Sequence, residues 1–245
     1  MKLKVMTYNI HKGFSTGGIK YILRKIKEAL STTSADIVFL QEVVGEHSKS
    51  EKNNWPTESQ FEFLADQLWS HYSYGKNAIF SQFHYGNATL SRFPIVQEKH
   101  TVMSTNRFEQ RGLLHCEVEI PDLKQSIHLY NVHLDLLSRG RRLQYQKICS
   151  QIKADVKEKE KFIMAGDFND WTGELNEMFI EQLGLDEAHT KIHDRPARSF
   201  PSFFPVLTLD RVYSRNMDIV NCKPMIGNPW KKLSDHIPLL VEYAL

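Results

Sequence analysis

Cysteine is scarce in this chain: Cys116, Cys149 and Cys222 are the only three in 245 residues. Their number is odd and no CxxC or zinc-type spacing joins them, so each reads as a small buried hydrophobe and not as part of a disulfide framework. Long apolar runs are lacking as well; none approaches the ~20 residues that span a bilayer, which argues against stable membrane insertion. The opening segment, Met1-Lys-Leu-Lys-Val-Met-Thr-Tyr-Asn9, has neither the apolar core nor the small-residue cleavage site of a secretory signal and reads as a strand. These deficits together lead us to expect a reducing, cytoplasmic setting. An excess of one charge is missing too: 31 Lys+Arg stand against 29 Asp+Glu, a net charge of +2. A histone-like field is thereby excluded as the means of binding anything anionic. What remains is 41% hydrophobic and 24% charged, the composition of a globular chain with a sizeable core and not of a disordered one.

Apolar periodicity organises the chain without a long linker, a low-complexity tract or a tandem repeat, so a single domain over 1–245 is expected, with no obligate protein partner evident. Strands are predicted over Leu3–Tyr8, Ile37–Leu40, Ala88–Ser91, Ile95–Met103, Leu113–Ile120, Ile127–His133, Phe162–Ala165, Leu209–Tyr213, Ile219–Pro224 and Leu239–Tyr243. Helical spacing marks Ile19–Leu30, Glu58–Trp69, Ser138–Lys157 and Leu175–Leu183. Mixed α/β order with several β-β neighbours favours two packed mixed sheets flanked by helices over one doubly wound sheet.

The chemistry lies at the strand ends. Val5–Asn9 ends in an amide, Asp36–Glu42 in a carboxylate, and Ile127–His133 in an imidazole. Phe162–Asn169 ends in Asp167 and Asn169, while Asp210 lies within a strand and Asp235-His236 opens the last one. Any one such residue alone is most simply a turn or cap residue. Strand ends converging on one rim would instead gather carboxylates, imidazoles and amides in one cleft. Hard cations such as Mg²⁺ take carboxylate oxygens there and leave room for a phosphate.

At these residues the chain resembles the endonuclease/exonuclease/phosphatase superfamily. The matching segments are Thr-Tyr-Asn9-Ile-His, Leu-Gln-Glu42, Gly-Asn87-Ala-Thr-Leu-Ser-Arg-Phe-Pro, Asn-Val-His133-Leu, Gly-Asp167-Phe-Asn169-Asp, Leu-Asp210-Arg-Val-Tyr and Ser-Asp235-His236-Ile-Pro. They run in family order from residue 7 to residue 238, and the likeness is to a small bacterial single-domain branch. The resemblance implies a four-layered αββα sandwich with its site at one end of the two sheets. It implies Glu42, Asn9 and Asp235 in the environment of Mg²⁺, with Mn²⁺ as an alternative. Asp167 would orient or deprotonate the attacking water, and Asn169 would hold that water or the phosphate's developing charge. His236, kept protonated by Asp210, would donate to a non-bridging oxygen, and His133 would face the leaving group. Asn87 falls where the family places a substrate contact, and Arg111 is a candidate phosphate clamp.

The implied activity is metal-dependent phosphoester hydrolysis by in-line attack of water. Nucleic acid is the first expectation for its substrate, and a phospholipid, inositol phosphate or sphingomyelin the alternative. A non-catalytic binding protein on the same fold is the minor reading. Arg139, Arg141 and Arg142 read as a solvated helix start ahead of a nucleic-acid track. The Phe200–Pro205 segment reads as a cap on the sheet beside the site, with part of it lining the substrate. Trp171 is open between shaping the pocket and packing the following helix.

Overall fold

A computed structural model describes residues 2–18, 20–47, 59–80, 83–106, 109–121, 123 and 125–245. The first unit is a crossover. Strand β1 (Lys2–Asn9) leads through helix α1 (Leu23–Ser31) to β2 (Ile37–His47), which pairs parallel with β1. The same unit recurs as β7 (Ile127–His133), α3 (Ser138–Asp155) and β8 (Lys161–Asp167), again with a parallel pair. Each pair sits in the middle of a six-stranded sheet whose remaining pairings are antiparallel.

The first sheet adds β3 (His71–Ile79), β4 (Phe83–Ser91), β11 (Asp218–Pro224) and β12 (Leu239–Ala244), in the order β11-β12-β1-β2-β4-β3. The second adds β5 (Ile95–Val102), β6 (Gly112–Val118), β9 (Asp186–Glu187) and β10 (Asp210–Arg215), in the order β5-β6-β7-β8-β10-β9. Helices α2 (Gln60–Ala65), α4 (Glu174–Leu183) and α5 (Ala188–His193) and two short 3-10 helices, at His11–Gly13 and Trp230–Lys232, accompany them.

Period-two alternation assigns the two faces of each strand. Leu3 and Val5 of β1 and Ile37 and Phe39 of β2 meet Leu129, Ile163 and Val212 between the sheets. Met6, Tyr8, Val38 and Leu40 point the other way, under Leu23, Ile26 and Leu30 of α1 and Leu64 of α2. On the far side Tyr130, Val132, Phe162 and Met164 are covered by Ile148 and Ile152 of α3 and Leu175 and Phe179 of α4. This is the expected αββα sandwich. Each of these side chains contributes about 1.5–3 kcal/mol of burial. All three cysteines are free and buried. Among the described residues no helix is long and apolar enough to cross a membrane.

Towards the site the inter-sheet layer turns polar. Gln41 Nε2 donates to Asn131 Oδ1 at 2.9 Å across the sheets, and Asn131 Nδ2 donates to the carbonyls of Ala88 (2.8 Å) and Leu40 (3.1 Å). Asn87 Nδ2 donates to the Gly112 and Asn131 carbonyls at 3.1 and 3.2 Å. These amides bind the two sheets at a fixed separation just below the rim.

Several elements depart from the pattern-based reading. The helix expected from Ile19 begins only at Leu23, because Tyr21 bridges Phe14 as a short β-pair; Ile19 lies outside the described residues. The helix expected over Glu58–Trp69 is shorter, Gln60–Ala65, and Glu58 also lies outside the described residues. Strand β3 and helix α5 have no counterpart in that reading; β3 is an edge strand with mixed burial and a polar sequence.

Candidate active site

Three neighbouring strands of the second sheet set the site in one row. His133 on β7 and Asp210 on β10 are both register partners of Asp167 on β8. All three residues follow the inward phase of their strands and are buried. Gly166 precedes Asp167 with φ +150°, and a Cβ there would stand 1.9 Å from the Val132 carbonyl oxygen, so only glycine lets β7 and β8 close up at this point.

Asp167 is the focus. From the opposite sheet Asn9 Nδ2 donates to Asp167 Oδ2 at 3.1 Å, and the Asn169 backbone N–H donates to Oδ1 at 3.0 Å. Asn169 adopts φ +49°, a left-handed conformation that asparagine tolerates, and its side-chain amide donates to the Leu134 carbonyl. His133 Nε2 and His236 Nε2 stand 3.6 and 3.7 Å from Asp167 Oδ2. The other ring nitrogen of His236, Nδ1, is 2.8 Å from Asp210 Oδ2. Asp210 therefore pairs with His236 and not with its neighbour Arg211, which turns to the other face and donates to the Asp170 carbonyl.

Burial and these contacts set the protonation states. Burial pushes the Asp167 carboxyl up to about 6, with His236 opposing and Asp210 assisting. Burial works against charge on His236, but Asp210 and Asp167 outweigh it and raise the imidazole to about 10. Burial, reinforced by the Arg111 guanidinium, holds His133 well below the usual histidine value and so neutral. One buried network thus contains an imidazolium, a neutral imidazole and a carboxylate of raised pKa.

Glu42 reaches the rim through a break in β2. Leu40 and Val43 both face α1 and α2, so the alternation slips by one residue between them, at a register shift against β4. Glu42 takes φ +55° at that slip, a strain of about 1–3 kcal/mol that the flanking sheet sustains. Burial opposes its charge, yet the Lys12 ammonium holds the carboxyl down to about 2. Lys12 Nζ donates to Glu42 Oε2 at 2.6 Å. Asp235 lies nearby: Ser234 Oγ bonds both the Asn9 carbonyl (2.7 Å) and Asp235 Oδ1 (3.2 Å), and His11 Nδ1 is 3.8 Å from the latter atom.

Arg111 is buried, with Nε 3.9 Å from Asp135 Oδ1 and without a hydrogen-bond partner, and its charge reaches His133. Asn87 differs from the other candidates. It is 0% exposed, and both ends of its amide are engaged between the sheets, the oxygen accepting from Asn77 Nδ2 at 3.2 Å. Arg141 is a correction to the solvated reading of its helix start: it is 2% exposed, donates to the Asp135 carbonyl at 3.3 Å and stacks on Trp171 at 4.9 Å. Phe200 packs on His236 with ring centroids 5.0 Å apart, while Phe203 and Phe204 are 69% and 68% exposed.

The residues that pattern reading missed are Lys12, Ser234 and Asp135; His11 was visible beside Asn9 but carried no role. Lys12 was legible only as a basic residue in a Gly-containing turn, because nothing local links it to Glu42. Ser234 belongs to the Ser-Asp-His segment but carries no metal-binding or acid–base signature of its own.

The donor chemistry fits a hard divalent cation. Glu42, Asn9 and Asp235 offer oxygen atoms, Glu42 is held ionised, and it already attracts a cation in Lys12. Asp210 Oδ1 and Gln41 Oε1 are buried without hydrogen-bond partners. At the rim, one ligand atom from each of Asp167, Asp210 and His236 lies within 4.8 Å of the others.

An αββα sandwich with a carboxylate–amide–imidazole site on one rim defines the class. The model of the Endonuclease/Exonuclease/phosphatase family matches residues 6–236, and the chain belongs to that family. Its members are generally hydrolases of phosphoester bonds and usually depend on a divalent metal. The chain is 42% identical over 244 residues to the uncharacterized protein YbhP of Escherichia coli K12, covering 99% of this chain and 96% of that protein. Its fold is similar to that of an endonuclease/exonuclease/phosphatase from Beutenbergia cavernae (TM-score 0.84, 20% identity, 100% of this chain and 72% of that one). It is also similar to the mannosyl-6-phosphatase Bt3783 of Bacteroides thetaiotaomicron (TM-score 0.72, 16% identity, 99% of this chain and 100% of that one).

Proposed function

We propose that the chain is a Mg²⁺- or Mn²⁺-dependent phosphoesterase that hydrolyses a phosphodiester, in nucleic acid first of all, by in-line attack of water. The observation that carries this reading is the convergence of Asn9, Asn169, His133 and His236 on the single carboxylate of Asp167. Asp167 Oδ2 orients the water and accepts its proton; a carboxyl raised to about 6 suits a base near neutral pH. Asn169 holds the water or the charge that develops on phosphate. His236 donates from Nε2 to a non-bridging oxygen, and Asp210 keeps it cationic and aimed. His133, neutral, faces the leaving group. Arg111, set between Glu109 and Asp135, is the candidate phosphate clamp. Asn87 acts from between the sheets by fixing the spacing of the rim. Glu42, Asn9 and Asp235 would hold the ion, which supplies neutralisation of phosphate charge.

A specific observation favours a second substrate class. Phe203 and Phe204 project from the segment whose Ser202 N–H donates to the Asp235 carbonyl at 2.7 Å, which sets an exposed apolar pair beside the site. Such a pair suits the lipid part of a phospholipid or sphingomyelin, although stacking on bases uses the same chemistry.

A parallel panel of nicked DNA, abasic DNA, RNA, sphingomyelin, phosphoinositides and nucleotide monoesters, each with Mg²⁺ and with EDTA, tests both. Fastest Mg²⁺-dependent turnover on nucleic acid is expected. Preference for lipid, lost in Phe203→Ser/Phe204→Ser, would transfer the assignment to the second class. Binding without turnover on any substrate would leave only the non-catalytic reading.

A further inference from the structure

The outer face of the second sheet carries a cluster that the catalytic site does not use. His115 and Glu117 lie on β6 and His128 on β7, two strands that pair antiparallel with Glu117 opposite His128. His115 Nε2 and His128 Nδ1 are 3.0 Å apart, and Glu117 Oε1 is 3.6 Å from His128 Nδ1. One ligand atom from each of the three residues falls within 4.8 Å of the others. From these separations we infer that His115, His128 and Glu117 form a binding site for a Zn²⁺-class divalent transition metal, distinct from the catalytic cleft.

Tetrahedral zinc with ligand bonds of about 2.0–2.2 Å sets its ligand atoms about 3.4 Å apart. The His115–His128 and His128–Glu117 distances of 3.0 and 3.6 Å bracket that value, and the third pair closes within 4.8 Å. The donor set of two imidazoles and one carboxylate suits Zn²⁺ and its neighbours better than Mg²⁺, which prefers oxygen alone.

The surroundings supply what such a site needs. Both outward-facing ring nitrogens have a carboxylate beside them: Asp155 Oδ2 is 3.8 Å from His115 Nδ1, and Glu160 Oε2 is 3.5 Å from His128 Nε2. With both ring protons facing outward, to Asp155 and Glu160, the inward nitrogens present lone pairs to the ion and neither imidazole need lose a proton overall. His115 Nδ1 is buried and has no hydrogen-bond partner, with Asp155 its nearest carboxylate. Both histidines are buried while the three carboxylates are partly exposed, which leaves an entry path and a fourth position open to water. An ion there would tie β6 and β7 to the end of α3 and the turn before β8, far in sequence from the catalytic Glu42.

Calorimetric titration of chelator-stripped full-length chain with Zn²⁺ tests the site. The His128→Gln and Glu117→Gln chains should each bind one equivalent fewer than the unaltered chain, and lose the accompanying rise in Tm. Glu42→Ala should retain that equivalent. Asp155→Asn should weaken it by about 10–100-fold without abolishing it. Glu117 is partly exposed, so its substitution reports on binding even where His128→Gln does not fold. Unchanged stoichiometry in natively folded Glu117→Gln, or no Zn²⁺ bound by the unaltered chain, overturns the inference.

Discussion

Asp210 Oδ2 lies 2.8 Å from His236 Nδ1, which turns the opposite nitrogen of the imidazole towards Asp167. This contact links two distant segments, since Asp210 opens β10 and His236 lies just before β12. It fixes both the direction and the charge of the donor that would meet phosphate.

Replacing Asp210 with Asn should leave the fold intact and lower kcat by about 10²–10³-fold, the usual cost of one preorganised donor to a developing oxyanion. The pH–rate profile is the sharper test. His236 is raised to about 10, so its cation persists through neutral pH and is lost only as pH rises through that value. In Asp210→Asn the alkaline limb should move down towards the ordinary histidine range of about 6.5. An unmoved limb would mean that Asp210 does not set the charge of His236.

Lys12 donates to Glu42 at 2.6 Å, so if Glu42 holds the ion as proposed, the ammonium would compete with a divalent cation for that carboxylate. Lys12→Met should lower the Mg²⁺ concentration that gives half-maximal activity, by up to about fivefold for an ion pair worth up to about 1 kcal/mol. An Mg²⁺ titration of turnover measures it; a higher requirement would place Lys12 on the substrate and not in competition with the ion.

Asn131→Ala removes the bonds to the Leu40 and Ala88 carbonyls and to Gln41, leaving buried polar groups without partners. A loss of about 1–3 kcal/mol is expected, seen as a fall of several degrees in Tm. Thermal denaturation of the variant checks this, and an unchanged Tm would remove the amide layer from the account of how the sheets are spaced.

The His115 ring resists protonation in the folded chain, with a pKa of about 4 set by burial and by His128, against Asp155 and alongside Lys99. The unfolded chain takes up that proton near 6.5, so below this pH it binds more protons than the native state. Stability in the presence of a chelator should therefore fall as pH drops from about 6.5 to 4, and the slope should be smaller in His115→Gln. Tm measured across that interval tests the sign.

The strands that carry chemistry were legible because they are buried on both faces and end in a polar residue. Ile127–His133 coincides with β7, and Phe162–Ala165 lies inside β8. Glu42 stood out as an acid after an apolar run, but the strand continues past it to His47, and the slip that turns it to the rim was not legible, since it rests on long-range pairing of β2 with β4. Lys12 was hidden for the same reason, its partner being thirty residues away in sequence. Asn87 shows the converse. Its motif is readable, but its two inter-sheet bonds exist only once β4, β6 and β7 have packed. His115 and His128 are unremarkable on their strands until the antiparallel register of β6 and β7 brings them together.

The central claim is that Asp167 serves a metal-dependent hydrolysis of a phosphodiester. Turnover of a generic phosphodiester by the unaltered chain and by Asp167→Asn, in Mg²⁺, after EDTA and after Mg²⁺ is restored, tests it most directly. The unaltered chain should lose activity with chelator and regain it with Mg²⁺, while folded Asp167→Asn should stay inactive throughout. Turnover that survives EDTA, or that persists in Asp167→Asn, would contradict it.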